Sequence, residues 1–307
     1  MKGGLRTRYQ ALSVRLSKRQ YSGNTAHISD SPNNDRSSGF TIVEVMVVLA
    51  VTGVLFISAA LAISGRTNKT QFQQSINDVV TMLSQSINST SIGYYPNASN
   101  FACKNSSNSL VITGGANKQG TNNDCIFLGK ATQFGVNGTD PQLTATFPIA
   151  ALREDASGNE VQSLATAKPA VIYPSSAQTN APNDVTTDPL LYGLTVSSMY
   201  YNNNPSNKIG AFAIITDLSR YSYSNSQLQS GSQQMILVPI INTNLNSSIA
   251  TMAGAINTNL ISSVAATSGV QICLNSGTTN QSGLVTIGGS GSQQLTVSVI
   301  IKAAPGC

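Results

Sequence analysis

The sequence predicts an α+β protein: a long N-terminal helix packed on a mostly antiparallel, β-rich C-terminal globular domain. Three observations predict it. Residues 40–63 are an apolar run whose only charge is Glu44. Beyond it, Phe72, Ile76, Val79, Leu83 and Ile87 recur at steps of four, three, four and four, the spacing of one helical face. From residue 93 onward, β-branched and aromatic clusters alternate with Asn, Gly, Ser and Pro turns.

Each element can be justified in order. Residues 1–39 carry Lys2, Arg6, Arg8, Arg15, Lys18, Arg19 and Arg36 against Asp30 and Asp35, a surplus of five that equals the +5 of the whole chain. Residues 40–307 balance ten basic groups with ten acidic ones. A basic excess confined to one side of an apolar run is a membrane-topology signal, with Lys and Arg held in the cytoplasm. A nucleic-acid-binding body would carry its basic stripe in the folded part, so nucleic acid is the weaker partner class. Leu5, Tyr9, Leu12 and Leu16 share a helical face, which fits either a short amphipathic helix on anionic lipid or an unstructured basic leader. Residues 21–38 have linker composition.

The run from Phe40 to Ile63 is long enough to cross a bilayer core of about 30 Å, and longer than the apolar core of a cleaved secretory signal. No proline interrupts residues 40–95, so span and amphipathic stretch form one rod of about 80 Å, ending near "GYYP". Strands are expected at "SLVIT", "CIFLG", "QLTATFPI", "AVIYP", "GLTVSSMYY", "GAFAIIT", "MILVPII", "GLVTIG" and "QLTVSVII". One further helix is expected over 247–266, where Ile249, Met252, Ile256, Leu260 and Val264 share a face. The expected organisation is a leader over 1–39, a helix over 40–92 that is transmembrane over 40–63, and an outer β-rich domain over 93–307.

All four cysteines follow the apolar run. Export places them in an oxidising compartment, where two disulfides are expected. Of three possible pairings the short loops Cys103–Cys125 and Cys273–Cys307 are favoured, each adding on the order of 3 kcal/mol. A zinc site is disfavoured: there is no C-x-x-C spacing, and the only histidine is His27.

The stretch "GFTIVE", residues 39–44, followed by the apolar helix and preceded by basic residues, resembles the signal of type IV prepilins and type II secretion pseudopilins. The resemblance implies cleavage by a prepilin peptidase after Gly39, N-methylation of Phe40, and assembly through Glu44 at the fifth mature position. It also implies other pilin or pseudopilin subunits, an inner-membrane assembly platform and membrane lipid as partners, with the protein first in the cytoplasmic membrane, its C-terminal domain outside, and then in a filament. Two physical readings of Glu44 stand side by side. Thr41-x-x-Glu44 is a capping box in a helical first turn. Equally, a carboxylate in lipid gains a partner when cleavage gives Phe40 an α-amino group, cationic at neutral pH with a reference pKa of about 8. Gly39-Phe40 and the leader favour assembly. Gly53 is open to two readings, a softened or closely approached point in the helix or ordinary transmembrane tolerance. Leu61 stands near the place where many major pilins have a kinking proline, which favours the straighter pseudopilin or minor-pilin type.

"DCIFLGKATQFG", "GVQICLNSG" and "QLTVSVIIKAAPGC" are loosely similar to minor pseudopilins of the general secretion pathway protein H type. The body of about 215 residues exceeds that domain, so an insertion is expected within 150–270. Hydrolase chemistry would need an activated nucleophile and its base, and residues 40–307 hold no histidine. "REDASGNE" reads as a solvated turn, and "ITGGAN" and "TIGGSGSQ" lack the pattern of a phosphate loop. Asp184 and Asp188 are too thin a set for calcium. No catalytic residue, cofactor or metal is expected. The rival classes are a membrane-anchored extracytoplasmic binding protein, including an adhesin or DNA-uptake minor pilin, and a single-pass anchored enzyme.

Overall fold

The computed structural model describes residues 39–93, 101–106, 109–115, 124–136, 138, 140–175, 180–218, 235–262, 265–277, 280–288, 295–302 and 307. The basic leader, with its two readings, the linker over 21–38 and Val264 lie outside the described residues. The chain divides into two compact units, Met1–Phe56 and Ile57–Cys307.

Helix α1 runs over Ile42–Ser91, 50 residues without a break. It ends where Gly93 adopts φ +65° and its N–H donates to the Thr90 carbonyl at 3.1 Å, a left-handed stop that glycine takes without steric cost. After it come β1 (Phe101–Ser106), β2 (Ser109–Gly114), β3 (Cys125–Val136), β4 (Asp140–Leu152), the single turn α2 (Leu164–Ala167), β5 (Ala170–Val171), β6 (Thr186–Pro189), β7 (Thr195–Tyr201), β8 (Ala211–Thr216), β9 (Met235–Ile240), α3 (Ile249–Ser262), β10 (Val270–Asn275), β11 (Ser282–Ile287) and β12 (Val297–Lys302). Strands β1 and β2 form a hairpin, β12-β11-β10-β7 a four-stranded sheet, and β5-β4-β3-β8-β9 a larger sheet in which β6 also pairs with β4. Every strand pair is antiparallel.

Side-chain alternation on β8 shows how the larger sheet separates two cores. Ala211, Ala213 and Ile215 join Met252, Ala253, Ile256 and Leu260 of α3 in the first. Phe212 and Ile214 join the α1 stripe Phe72, Ile76, Val79, Leu83 and Ile87 in the second. A strand buried on both faces reads as the continuous apolar run "AFAIIT" rather than as alternation. The second core also takes Val270, Ile272 and Leu274 from β10 and Val285 and Ile287 from β11, so both sheets supply a face to α1. The five stripe residues are at most 7% exposed; burial of each large apolar side chain is worth about 1.5–3 kcal/mol. Close approach of helix to sheet is made possible at Gly283 of β11, where an added Cβ would lie 2.5 Å from Ile76 Cδ1.

Uncharged amides tie α3 to the larger sheet. The Asn259 Oδ1 accepts from the Ile241 N–H at 3.1 Å just past β9, and the Asn257 Oδ1 accepts from the Val171 N–H at 2.8 Å on β5. Each satisfies a backbone donor that the ladder leaves over.

Two positions carry measurable consequences. Gly129 sits in a register shift of β3 with φ +155°, and a Cβ there would meet the Ile214 carbonyl oxygen at 2.1 Å. Gly129→Ala is expected to cost about 2–4 kcal/mol, read as a lower urea midpoint. Lys130, next along β3, is opposite Pro148 and Ile214 and half-buried, and burial pulls its ammonium pKa below the ordinary 10.5. Its charge therefore penalises folding at neutral pH, and the penalty disappears as pH rises from the lowered value towards 10.5. Lys130→Met is expected to raise the urea midpoint at pH 7, with the gain shrinking over that alkaline window.

Candidate processing and assembly segment

The segment begins with two residues that the structure leaves unconstrained. Phe40 is 83% exposed. A Cβ built on Gly39 would meet nothing within 4 Å, and its backbone is not in the left-handed region. Among the described residues, local geometry therefore supplies no reason for a glycine at 39, neither close approach nor conformation.

Thr41 and Glu44 then start α1 as a reciprocal pair. The Glu44 N–H donates to Thr41 Oγ1 at 3.3 Å, and the Thr41 N–H and hydroxyl both donate to Glu44 Oε2 at 3.4 Å. The first helical bond runs from the Val45 N–H to the Thr41 carbonyl at 3.2 Å. Two amide donors that a helix start leaves unpaired are thereby satisfied, and the carboxylate lies at the positive end of the helix dipole.

From Ile42 to Ser64 every residue is exposed, including Ile42, Val43, Met46, Leu49, Leu55, Phe56 and Leu61. The helix is long and apolar enough to cross a membrane. Its hydroxyls turn back on the helix: Thr52 Oγ1 donates to the Val48 carbonyl at 2.8 Å and Ser64 Oγ to the Leu61 carbonyl at 3.1 Å. Internal satisfaction of this kind is what a polar side chain needs in hydrocarbon. An added Cβ at Gly53 would also meet open space, leaving that point of the helix surface free for close contact.

The cysteines lie in the second unit, where Cys103 of β1 is bonded to Cys125 of β3 at a Cα separation of 5.9 Å, and Cys273 of β10 to Cys307 at 5.6 Å. The first bond fastens the β1–β2 hairpin to the larger sheet. The second holds the chain end against the four-stranded sheet.

In "REDASGNE" the Asp155 Oδ1 accepts from the backbone N–H groups of Ser157 at 2.8 Å and Asn159 at 2.9 Å, and the Asn159 bond foremost holds the carboxyl below its ordinary value. It organises a turn. Asp188 lies on the exposed strand β6, and its carbonyl, not its carboxylate, receives the Thr144 hydroxyl at 3.0 Å. Among the described residues no group of three His, Cys, Asp or Glu is placed to hold a metal ion.

The spacing of Thr41 and Glu44 made the capping contact legible in the sequence. What it could not show is that no described residue crowds Gly39, since that depends on the space around it. Residues 34–60 match the family described as the prokaryotic N-terminal methylation motif. No curated protein and no solved structure matches the chain. The glycine, the capped glutamate and the start of the bare apolar helix are thus parts of one matched segment, and through it the chain carries a type IV prepilin-like N-terminal methylation signal.

Proposed function

We propose that this protein is a minor pilin or pseudopilin, a structural subunit of a type IV pilus or type II secretion-like filament. A prepilin peptidase hydrolyses the Gly39–Phe40 bond, the new amine of Phe40 is methylated, and subunits assemble through the apolar half of α1 with the help of an inner-membrane platform. Residues 1–39 are the removed leader, 40–92 the helix and 93–307 the outer domain, carried across the membrane with the basic leader left in the cytoplasm. The observation that carries this reading is a glycine that no described residue crowds, five residues before a capped carboxylate that opens a helix whose apolar half is wholly exposed.

The sequence of events follows from where charge is placed. In the lone subunit Glu44 is held by Thr41. Cleavage then creates a cationic chain end four residues before Glu44. In a bundle of such helices the chain end of one subunit reaches the Glu44 of its neighbour, which exchanges a cap within one chain for a charge pair between chains.

Two experiments test the reading. Gly39→Val is expected to leave the protein uncut, larger on a gel by the 39-residue leader; normal processing of this variant would contradict the cleavage assignment. Glu44→Val is expected to be cut and yet absent from filaments. Thr41→Val removes the cap at a cost of about 1 kcal/mol and leaves the carboxylate. It is expected to assemble, and equal failure of both variants would assign Glu44 to capping alone.

A further inference from the structure

We propose that the outer edge of β12 is a docking strand for a second copy of this chain, joined antiparallel about Val299. The Gly288 N–H donates to the Thr296 carbonyl at 2.9 Å, and the register from Ser282↔Lys302 to Ile287↔Val297 continues from that pair without a shift. In an antiparallel ladder bonded and non-bonded pairs alternate. Ser298, Ile300 and Lys302 therefore direct their backbone groups to β11, while Val297, Val299 and Ile301 direct theirs away from the sheet. Among the described residues, none makes a backbone hydrogen bond to those three on that side.

Among the described residues, two other edges are covered over part of their length. Beside β7 the chain folds back, with the Tyr201 N–H donating to the Asn207 carbonyl at 3.2 Å and the Ile209 N–H to the Met199 carbonyl at 3.0 Å. On β9, Leu237 receives the Ala266 N–H at 2.7 Å. At β12 the described chain end gives no such cover: Cys307 is bonded to Cys273 on β10, two strands in from the edge. The side chains there are apolar and accessible, Ile300 57% and Ile301 40% exposed, with Lys302 the single charge of the strand. An open, apolar edge of this kind is a template for another strand.

Self-complementarity selects a second copy as that strand. A two-fold axis through Val299 sets Val299 against itself, Val297 against Ile301, Ser298 against Ile300 and Lys302 against Thr296. All three outward residues of each copy then exchange both backbone bonds, and no like charges face each other. The apolar Ile301 of one copy lies over Val297, which is already half-buried against the second core. An isologous contact of this kind closes at two copies and does not itself propagate a filament, so the proposal stands independently of the assembly reading.

The test uses the full-length chain in detergent micelles, with mass measured by light scattering. Val299→Pro removes an outward N–H and none of the bonds to β11, a position where an edge strand tolerates proline. The wild type is expected as a dimer and this variant as a monomer with its Cys273–Cys307 bond intact. Val299→Cys places two thiols across the axis and is expected to give a reducible covalent dimer, at least tenfold more than Val297→Cys. Equal cross-linking of the two cysteine variants, or a dimer that survives Val299→Pro, would overturn the proposal. So would a monomeric wild type from which Val299→Pro releases a different polypeptide, since the edge would then belong to another partner.

Discussion

The stripe from Phe72 to Ile87 is the constraint on which the rest of the folded body depends. These five side chains are the helical contribution to a core that both sheets share, meeting Phe212 and Ile214 from the larger sheet and Ile272 and Val285 from the smaller. A sheet face as apolar as that of β10 must be covered, and a helix of 3.6-residue period covers it only when every third or fourth residue is large and apolar. The contact is close because β11 has glycine where Ile76 descends. Remove the stripe and two sheets lose their cover together, which makes the helix part of the body rather than a tether to it. The same 50-residue helix carries two hydrophobic patterns in sequence, apolar on all sides over 42–63 and apolar on one side from Phe72 to Ile87. Each pattern matches a different surrounding: hydrocarbon on every side for the first, a sheet on one side and water on the other for the second.

Most of this was legible from periodicity; the buried strand β10 was not among those expected, and the other exceptions share a cause. The α1 stripe and α3 followed from spacing; β3, β4, β8 and β9 followed from apolar runs between turns. Strand β6, "TTDP", carried no signal because all four residues are exposed and polar; it is a strand only because β4 offers Thr144, Ala145 and Thr146 as partners. Strand β1, "FACKNS", is similar, defined by its pairing with β2. "AVIYP" contributes only Ala170–Val171 to the ladder, since the chain turns at Ile172 and Tyr173. Pairing is a property of two segments, and periodicity within one segment cannot report it. The open edge of β12 was hidden for the same reason: which of its residues turn their backbone outward is fixed by register with β11.

The scarcity of charge, 9% of residues, has a structural counterpart. Where many proteins would use an ion pair, this one uses an amide. Gln271, 2% exposed, accepts from the Asn203 N–H at 3.3 Å, donates to the Asn203 side chain, and reaches the Ser268 carbonyl at 3.5 Å, binding the turn after β7 to β10. Buried neutral groups of this kind avoid the desolvation cost of charges and do not titrate, so they hold equally across pH. A body built this way has no net charge of its own, and the +5 of the chain belongs wholly to residues 1–39.

Glu44 stands just past that division, at the start of the apolar run. The cap with Thr41 is worth about 1 kcal/mol, whereas a carboxylate at a helix centre in lipid costs about 2.5–3.5 kcal/mol and less near an end. Capping alone thus falls short of, or at best matches, the cost of placing this charge in a membrane-spanning segment, and an alanine there would carry no such cost. A glutamate in this position is explained when something later compensates it. In the proposed sequence of events that partner is the chain end released beside it, absent while the leader is attached and present once the Gly39–Phe40 bond is broken. The carboxylate then acts as a check on order: before cleavage it is satisfied only within its own subunit, and after cleavage a neighbouring subunit satisfies it better. In that proposal, its energetic penalty in the uncut chain is what would make processing favour assembly.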